Sequence, residues 1–342
     1  MRKDDEMINI GIIGLGYWGP NYVRIFNELE QSKISYCCDI DGAKTDQVKR
    51  TNPFIETSKD YKDLLLASDV DAIVVSTPAS THYKIVKDCL SAGKDVLVEK
   101  PIALSTKDAE ELVNIAKKNK RILMVGHTFV YNPVVQKLKE YIYNGDLGDI
   151  YYLYFSRTGL GPIRRDVNAM WDLAPHDISM LLYLLEDMPT EVSAKGQSYL
   201  QEGVEDVVFM TLRFPENIMA SIHVSWLDPY KVRRATVVGS KRMAVFDDVN
   251  KLETLKIFDK GIDKYSEKSY ADYGEFQLSI RDGDVHIPKI EMREPLKNQC
   301  KHFLECVRER KEPLTNGEEG LNVVRILEDA QKTLNKRRNK QW

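Results

Sequence analysis

Apolar residues fall into short, nearly unbroken runs in the first third of the chain and alternate with polar ones later on. Residues 8–13, 34–38, 72–76, 96–98 and 122–125 form the unbroken runs. Between them, 21–29, 83–92 and 107–118 carry apolar positions at helical spacing. Strands apolar on both faces and separated by helices predict a parallel sheet covered on both sides, a doubly wound arrangement. Residues 133–143 predict one more helix, and the turn "NGDLGD" ends it. The texture then changes to "IYYLYFSRT", "EVSAKGQSY", "DVVFMTLRF", "NIMASIHVSWL", "RRATVVGSKRMAVFDD" and "LETLKIFD". Turn signals such as "FPEN" and "VGSK" join these runs, which predicts a mostly antiparallel sheet. One helix, opening at "MWDLAPHDISMLLYLL", interrupts the series. Residues 261–290 read as a polar loop, and helices over 296–310 and 318–336 close the chain.

Length and composition narrow this picture. At 342 residues two domains are expected. With 49 basic and 52 acidic residues the net charge is -3, which argues against a nucleic-acid surface. The basic tail "NKRRNK" reads as the solvated end of a helix. No apolar run approaches the ~20 residues that span a bilayer. The start, "MRKDDEMINIGIIG", is charged and passes directly into a strand, unlike a signal peptide. Cys37, Cys38, Cys89, Cys300 and Cys306 form no CxxC pair, so buried free thiols in a reducing cytoplasm are expected, with neither disulfides nor a zinc site.

Chemistry first appears in "INIGIIGLGYWGPNYVRIF", where Gly14, Gly16 and Gly19 have G-x-G-x-x-G spacing. The motif follows an apolar strand and opens a helix, with Pro20 tolerated in the first turn. Gly14 allows a tight turn, Gly16 lets backbone N–H groups approach a pyrophosphate, and Gly19 allows close helix–strand packing. Tyr17 and Trp18, carried by the same loop, join the expected cofactor contacts. Asp39 ends the next strand twenty residues later, where an acid accepts from a ribose diol and repels a 2′-phosphate; with no arginine directly after it, NAD is favoured over NADP. The fold expectation is therefore α/β: an N-terminal Rossmann domain over residues 1–127 binds the dinucleotide. A C-terminal α+β domain with an open, mostly antiparallel sheet covers 128–342.

In an open α/β sheet, ligands bind beyond the carboxyl ends of the strands. Thr77 and Pro78 end one strand, and His82 follows in the next helix, either as a wall of the cofactor site or as a structural histidine. Glu99, Lys100 and Pro101 follow another apolar strand. A cation at Lys100 lowers the pKa of a substrate hydroxyl and stabilises the alkoxide as hydride departs, with Glu99 orienting the ammonium. Pro101 holds Lys100 away from helical geometry.

The stretch "MWDLAPHD" predicts a helix start in which Asp172 is the N-cap and Pro175 lies in the first turn. Ile178, Leu181, Leu182 and Leu185 then face a core, and at ~100° per residue His176 points almost opposite them. Asp172, four residues before His176, lies on roughly the same side. An acid there orients the imidazole, and the other ring nitrogen is left to act as a base. Periodicity alone leaves a helix cap and an exposed histidine as the alternative. Arg157, Arg164 and Arg165 flank this helix, and Lys231, Arg233 and Arg234 follow a strand; fork-shaped donors suit a diphosphate. Tyr131 and Asn132 follow the last strand of the parallel sheet; Tyr131 packs a core or, on the resemblance given next, both shape a sugar pocket.

Taken in order, Gly14-x-Gly16-x-x-Gly19, Thr77-Pro78 with His82, Glu99-Lys100-Pro101 and Asp172-x-x-x-His176 resemble the glucose–fructose oxidoreductase, inositol dehydrogenase and MocA family over nearly the whole chain. The resemblance implies an oxidoreductase acting on a CH–OH group. Lys100 would contact the substrate hydroxyl, His176 would serve as acid/base, and Asp172 would be its partner. It also implies dimers or tetramers formed through the C-terminal sheet. "RRDVNAMWDLAPHDI", "SWLDPYKVRR", "VVGSKRMAVFDD" and "GDVHIPKIEMREPLKNQCKHFLECV" look most like the sugar-nucleotide branch typified by UDP-N-acetylglucosamine 3-dehydrogenase, which oxidises a C3 hydroxyl to a ketone. A sugar phosphate, a free sugar or an inositol is the alternative substrate. A non-catalytic sensor of the dinucleotide is the alternative class.

Overall fold

The computed structural model describes residues 7–264 and 278–338, whose contacts group into two compact units. Among the described residues the first unit takes those up to Asn132 together with Arg293–Glu328. The second takes Pro133–Met292 and those from Asp329 onward.

In the first unit β1 (Ile8–Ile13), β2 (Ser32–Cys38), β3 (Glu56–Ser58), β4 (Ala72–Val75), β5 (Asp95–Val98) and β6 (Leu123–Val125) form one sheet in the order β3-β2-β1-β4-β5-β6. All of its pairings are parallel. The connecting helices are α1 (Gly19–Glu28), α2 (Gly42–Thr51), α3 (Lys62–Leu66), α4 (Ala79–Ser91) and α5 (Thr106–Asn119). Every residue of β4, β5 and β6 is buried, which is why these strands lack polar alternation. This strand order places the crevice for a ligand beyond the carboxyl ends of β1 and β4. The expected strands and helices occur within a few residues of their predicted limits. The three-residue edge strand β3 and the largely polar α2 carry too little periodicity to be read from the sequence.

The second unit begins with α6 (Pro133–Tyr143), then β7 (Ile150–Thr158) and α7 (Ala169–Leu185). Next come β8 (Glu191–Gln197), β9 (Val207–Arg213), β10 (Met219–Ser225), β11 (Val232–Gly239), β12 (Met243–Asp247), β13 (Leu255–Lys264) and β14 (Leu278–His286). The eight strands form a sheet in the order β14-β13-β12-β11-β7-β10-β9-β8, antiparallel except for the central β7–β10 pair. In β9 the even-numbered residues Val208, Met210 and Leu212 are buried and the odd ones are not. α7 packs against β10, β9 and β7.

Two expectations need correction. The stretch 261–290 is not a polar loop throughout: β13 runs to Lys264, and β14 pairs with it through Ile262↔Ile280 and Phe258↔Val285. The strands are rich in charge because cross-strand pairs such as Lys260–Asp282 (2.8 Å) and Arg281–Asp259 (3.1 Å) line them. Residues 265–277 of that expected loop lie outside the described residues. The second correction concerns 293–328, expected with the second domain. These residues pack with the first unit through α8 (Pro295–Glu309) and the start of α9 (Gly317–Arg338). α8 buries Leu296, Cys300, Phe303 and Leu304, and the returning chain hydrogen-bonds to β6, Val125 N–H donating to the Thr315 carbonyl at 2.8 Å. Helical periodicity shows an apolar face but not which sheet it covers.

Candidate active site

The glycine loop has the geometry its spacing predicts. Gly14 adopts φ 96°, and a side chain there would stand 2.7 Å from the Ser76 carbonyl. At Gly19 a Cβ would lie 2.2 Å from the Gly14 carbonyl oxygen, so the helix start and the strand end touch only because both are glycine. A Cβ on Gly16 would meet nothing within 4 Å, which leaves the mouth of the loop open. Tyr17 and Trp18 are exposed there, their rings edge to face at 5.5 Å. The loop and the N-terminus of α1 present backbone N–H groups suited to a pyrophosphate. Asp39, at the end of β2, is buried: Oδ2 accepts from the Leu15 N–H at 2.7 Å and Oδ1 from the Asp41 N–H at 2.9 Å. Each carboxylate oxygen keeps a lone pair for a further donor. Lys44 lies 3.5 Å from Asp39, a neighbour not anticipated from the sequence.

Thr77 is half-buried and Pro78 exposed at the end of β4. His82 is buried, with Nδ1 2.7 Å from the Pro101 carbonyl and Nε2 2.9 Å from the Thr77 carbonyl. The imidazole therefore ties the end of β4 to the residue after Lys100. Lys100 is half-buried at the end of β5, and its peptide bond to Pro101 is cis.

Glu99 is buried beside it. Its Oε2 accepts from the Lys100 N–H at 3.2 Å and its Oε1 from the Tyr22 hydroxyl at 2.7 Å. Burial raises the Glu99 carboxyl above the ordinary carboxylate range, while the Tyr22 hydrogen bond and the Lys100 charge pull the other way. At the end of β6, His127 is fully buried with Nε2 3.3 Å from Glu319. Burial, then the Lys100 charge, drops the His127 pKa to about 3, and burial pushes Glu319 well above its usual value. Burial thus disfavours the charged form of both groups. Tyr131 is buried, its hydroxyl 3.0 Å from Thr315 Oγ1 and its ring 5.4 Å from that of His302; Asn132 is buried next to it. Within its unit Tyr131 packs a core.

In the second unit the helix of "MWDLAPHD" starts earlier than expected. Asn168 is the N-cap: its Oδ1 accepts from the Trp171 N–H at 3.1 Å, while its amide donates to Glu205 at 2.7 Å. Asp172 is thus not the cap but lies inside the first turn, and Pro175 falls in the second turn rather than the first. The cap signal was two residues upstream of the quoted stretch. The facing of the helix is as the sequence predicts except at Leu185, which is half-buried rather than core. Ile178, Leu181 and Leu182 are buried, and of residues 169–180 only Asp172, Leu173 and His176 are not. Asp172 Oδ2 accepts from the Trp226 indole N–H at 3.2 Å, and Oδ1 lies 3.8 Å from Arg164.

The arginine set divides. Arg157 is buried, and its Nε and Nη2 engage Asp177 at 2.8–3.1 Å. Those fork donors, expected for a diphosphate, instead clamp α7 to β7. Arg164 pairs with Asp166 at 2.9 Å, and Arg165 is exposed. Arg233 and Arg234 pair with Asp248 and Asp247. Sequence reasoning missed Tyr22, His127, Asp177 and Trp226. Each finds its partner at least twenty residues away on another element, which periodicity does not show.

Comparison with known proteins accords with this geometry. Residues 8–127 match the oxidoreductase family with an NAD-binding Rossmann fold, and residues 135–245 match the GFO/IDH/MocA C-terminal domain. The chain belongs to the GFO/IDH/MocA family of oxidoreductases. It is similar to the myo-inositol 2-dehydrogenase of Thermotoga maritima, 26% identical over 97% of this chain and 98% of that one. It is also similar to the UDP-N-acetylglucosamine 3-dehydrogenase of Acidithiobacillus ferrooxidans, 27% identical over 73% of this chain and 77% of the relative. The solved structure of that enzyme superposes with a TM-score of 0.81 at 22% identity, covering 96% of this chain and 98% of the other. The WlbA dehydrogenase of Bordetella pertussis, solved with NADH and UDP-GlcNAcA, superposes with a TM-score of 0.79 at 20% identity, covering 97% and 96%. Among the described residues no helix is long and apolar enough to cross a membrane.

The loop geometry gives a first expected outcome. Gly16→Val, whose side chain enters open space, keeps the melting temperature but weakens NADH binding by roughly tenfold or more, a loss of about 1.4 kcal/mol. Gly19→Ala, whose Cβ meets the Gly14 carbonyl, lowers the melting temperature instead. Fluorescence titration and thermal melts separate the two, and unchanged NADH affinity in Gly16→Val would remove that residue from the phosphate loop.

Proposed function

We propose that the protein oxidises a ring hydroxyl of a nucleotide-linked sugar, the C3 hydroxyl of UDP-N-acetylglucosamine or a close relative, with NAD as hydride acceptor. The observation that carries the reading is the half-buried Asp172–His176 side of an otherwise buried helix, in a chain that also sets Lys100 at the end of β5 directly after the buried Glu99. The dinucleotide, when bound, supplies the hydride-accepting nicotinamide. Gly14, Gly16 and Gly19 with Tyr17 and Trp18 hold its pyrophosphate, Asp39 accepts from its ribose, and Thr77 and Pro78 border it. Asp39 supports NAD over NADP because a buried carboxylate repels a 2′-phosphate.

Lys100 stabilises the alkoxide as hydride leaves, and His176 accepts the hydroxyl proton. Asp172 keeps the imidazole oriented, held in turn by Trp226 and Arg164. Arg164 and the exposed Arg165 are the remaining diphosphate donors, and Asn132 borders the sugar. The names of the Acidithiobacillus enzyme and of the Bordetella complex support a sugar-nucleotide substrate. The protein works in the cytoplasm as a dimer or tetramer assembled through the second unit's sheet. The face of that sheet exposes Tyr152 and Tyr154, stacked at 6.3 Å, and Phe209, stacked on His223 at 4.2 Å.

A second reading, an inositol or another free polyol, is favoured by one observation: Arg157 is committed to Asp177, which thins the diphosphate donors. The Thermotoga relative, matched over nearly the whole chain, is a myo-inositol dehydrogenase. An NAD- and NADP-reduction screen over UDP-GlcNAc, UDP-GlcNAc uronate, glucose 6-phosphate and inositol distinguishes them. Reduction of NAD with a UDP sugar is expected. Turnover of inositol alone replaces the first reading with the second, and NADH binding with no turnover on any of the four points to a sensor.

A further inference from the structure

The first unit contains a buried hydrogen-bonded chain that runs from the helix of the phosphate loop to the lysine. Tyr22 lies one turn into α1, three residues past Gly19, and is fully buried. Its hydroxyl donates to Glu99 Oε1 at 2.7 Å and accepts from Gln299 Nε2, on α8, at 3.2 Å. Gln299 Oε1 in turn accepts from Thr128 Oγ1, just beyond β6, at 2.8 Å. At the other end Glu99 Oε2 takes the Lys100 N–H. Four segments far apart in sequence are joined in one chain of hydrogen bonds that ends on this carboxylate. Tyr22, Glu99 and Gln299 are each buried to nine-tenths or more. Isolated in a core, such groups cost far more than an apolar replacement, and packing alone would be met by Phe, Met and Leu.

We propose that Tyr22, steadied by Gln299, is a positioning residue that keeps Glu99 ionised and fixed against Lys100, so that the helix carrying the phosphate loop also sets the charge beside that lysine. The catalytic meaning rests on the reading of Lys100 given above; the electrostatic coupling does not. The groups facing Glu99 are the Tyr22 phenol from α1, the Cys300 thiol from α8 and Lys100 from its own strand, with His127 beyond at the end of β6. Burial and the Glu99 charge hold both the phenol and the thiol above their ordinary values, so neither ionises before Glu99 does. The sign follows from the hydrogen bond. The Tyr22 hydroxyl stabilises the carboxylate, so its removal raises the Glu99 pKa. Whatever depends on Glu99 being charged is then lost at a higher pH as the pH falls.

The test uses the full-length protein without substrate. Lysines are 13C-methylated reductively, and the Lys100 signal, assigned by its absence in Lys100→Met, is followed by NMR across pH. In the wild type the signal shows its own titration and a second, smaller inflection as Glu99 gains a proton. Tyr22→Phe, which keeps the ring stacked on Phe26, moves the small inflection up by about one pH unit, the value of one hydrogen bond to a charged group. Gln299→Met moves it the same way by less and serves if Tyr22→Phe folds poorly. The acid limb of kcat/KM then moves up with it, a shift that a merely structural tyrosine would not produce. A small inflection that stays in place in both variants, or is absent from the wild type, overturns the coupling. Wild-type turnover in Lys100→Met with the inflection moving as expected leaves the coupling intact and sinks the catalytic reading of the lysine.

Discussion

His176→Ala lowers turnover by roughly 10²–10⁴, the range over which a positioned general base acts, while NADH binding is unchanged. The expectation follows from where the helix is covered. The Ile178, Leu181 and Leu182 side of α7 is buried, whereas His176 shares the half-exposed side with Asp172 and Leu173. Truncating it removes a polar ring from the partly open side and leaves the core side intact, so stability changes by about 0.5 kcal/mol or less. The glycine loop that holds the dinucleotide belongs to the other unit. Steady-state rates on the substrate identified by the screen, with NADH fluorescence titrations alongside, check both halves of the expectation. Turnover within a few-fold of wild type would remove His176 from the mechanism; loss of NADH affinity would show that it does something other than accept a proton.

The second large effect concerns stability. Arg157 and Asp177 form a buried fork-on-carboxylate pair whose side chains are 6% and 3% exposed. Removing either partner leaves an uncompensated charge, a change that costs about 3–5 kcal/mol. For a unit of this size that corresponds to a drop of roughly 6–20 °C in melting temperature. Arg157→Ala and Asp177→Ala are both expected to fall in that range. The double replacement Arg157→Met with Asp177→Leu returns most of the loss, because two apolar chains of similar volume fill the site without a charge. If either single variant melts within about 2 °C of wild type, the pair is solvated rather than buried. Asp177 directly follows His176, so the single variants should also raise KM or lower kcat by releasing the helix turn that carries the imidazole.

The sequence made the parallel sheet and the glycine loop legible for a physical reason: both are local. Strands covered on two faces carry unbroken apolar runs, and Gly14 and Gly19 stand where a Cβ would strike backbone. The side chosen by His176 was equally legible, since helical periodicity alone fixes it. What stayed hidden depends on tertiary pairing. Arg157 read as a ligand for an anion until the structure supplied Asp177, twenty residues away and on another element. Tyr22 read as one more apolar helix position because its only polar atom finds its partner at Glu99, 77 residues on. Asn168 escaped notice as a cap because Asp172 offered a more conspicuous acid. β14 was taken for loop because its charges, which suggest solvent, are matched across a ladder.

Those matched charges also bear on how copies of this chain avoid sticking. A sheet's outermost strand leaves amide and carbonyl groups without a neighbour, an invitation to any passing extended segment. Here that margin carries Arg281, Asp282 and Asp284, three charges within four residues. An incoming apolar segment would have to desolvate them to extend the ladder. Extension of the ladder from this border is therefore disfavoured.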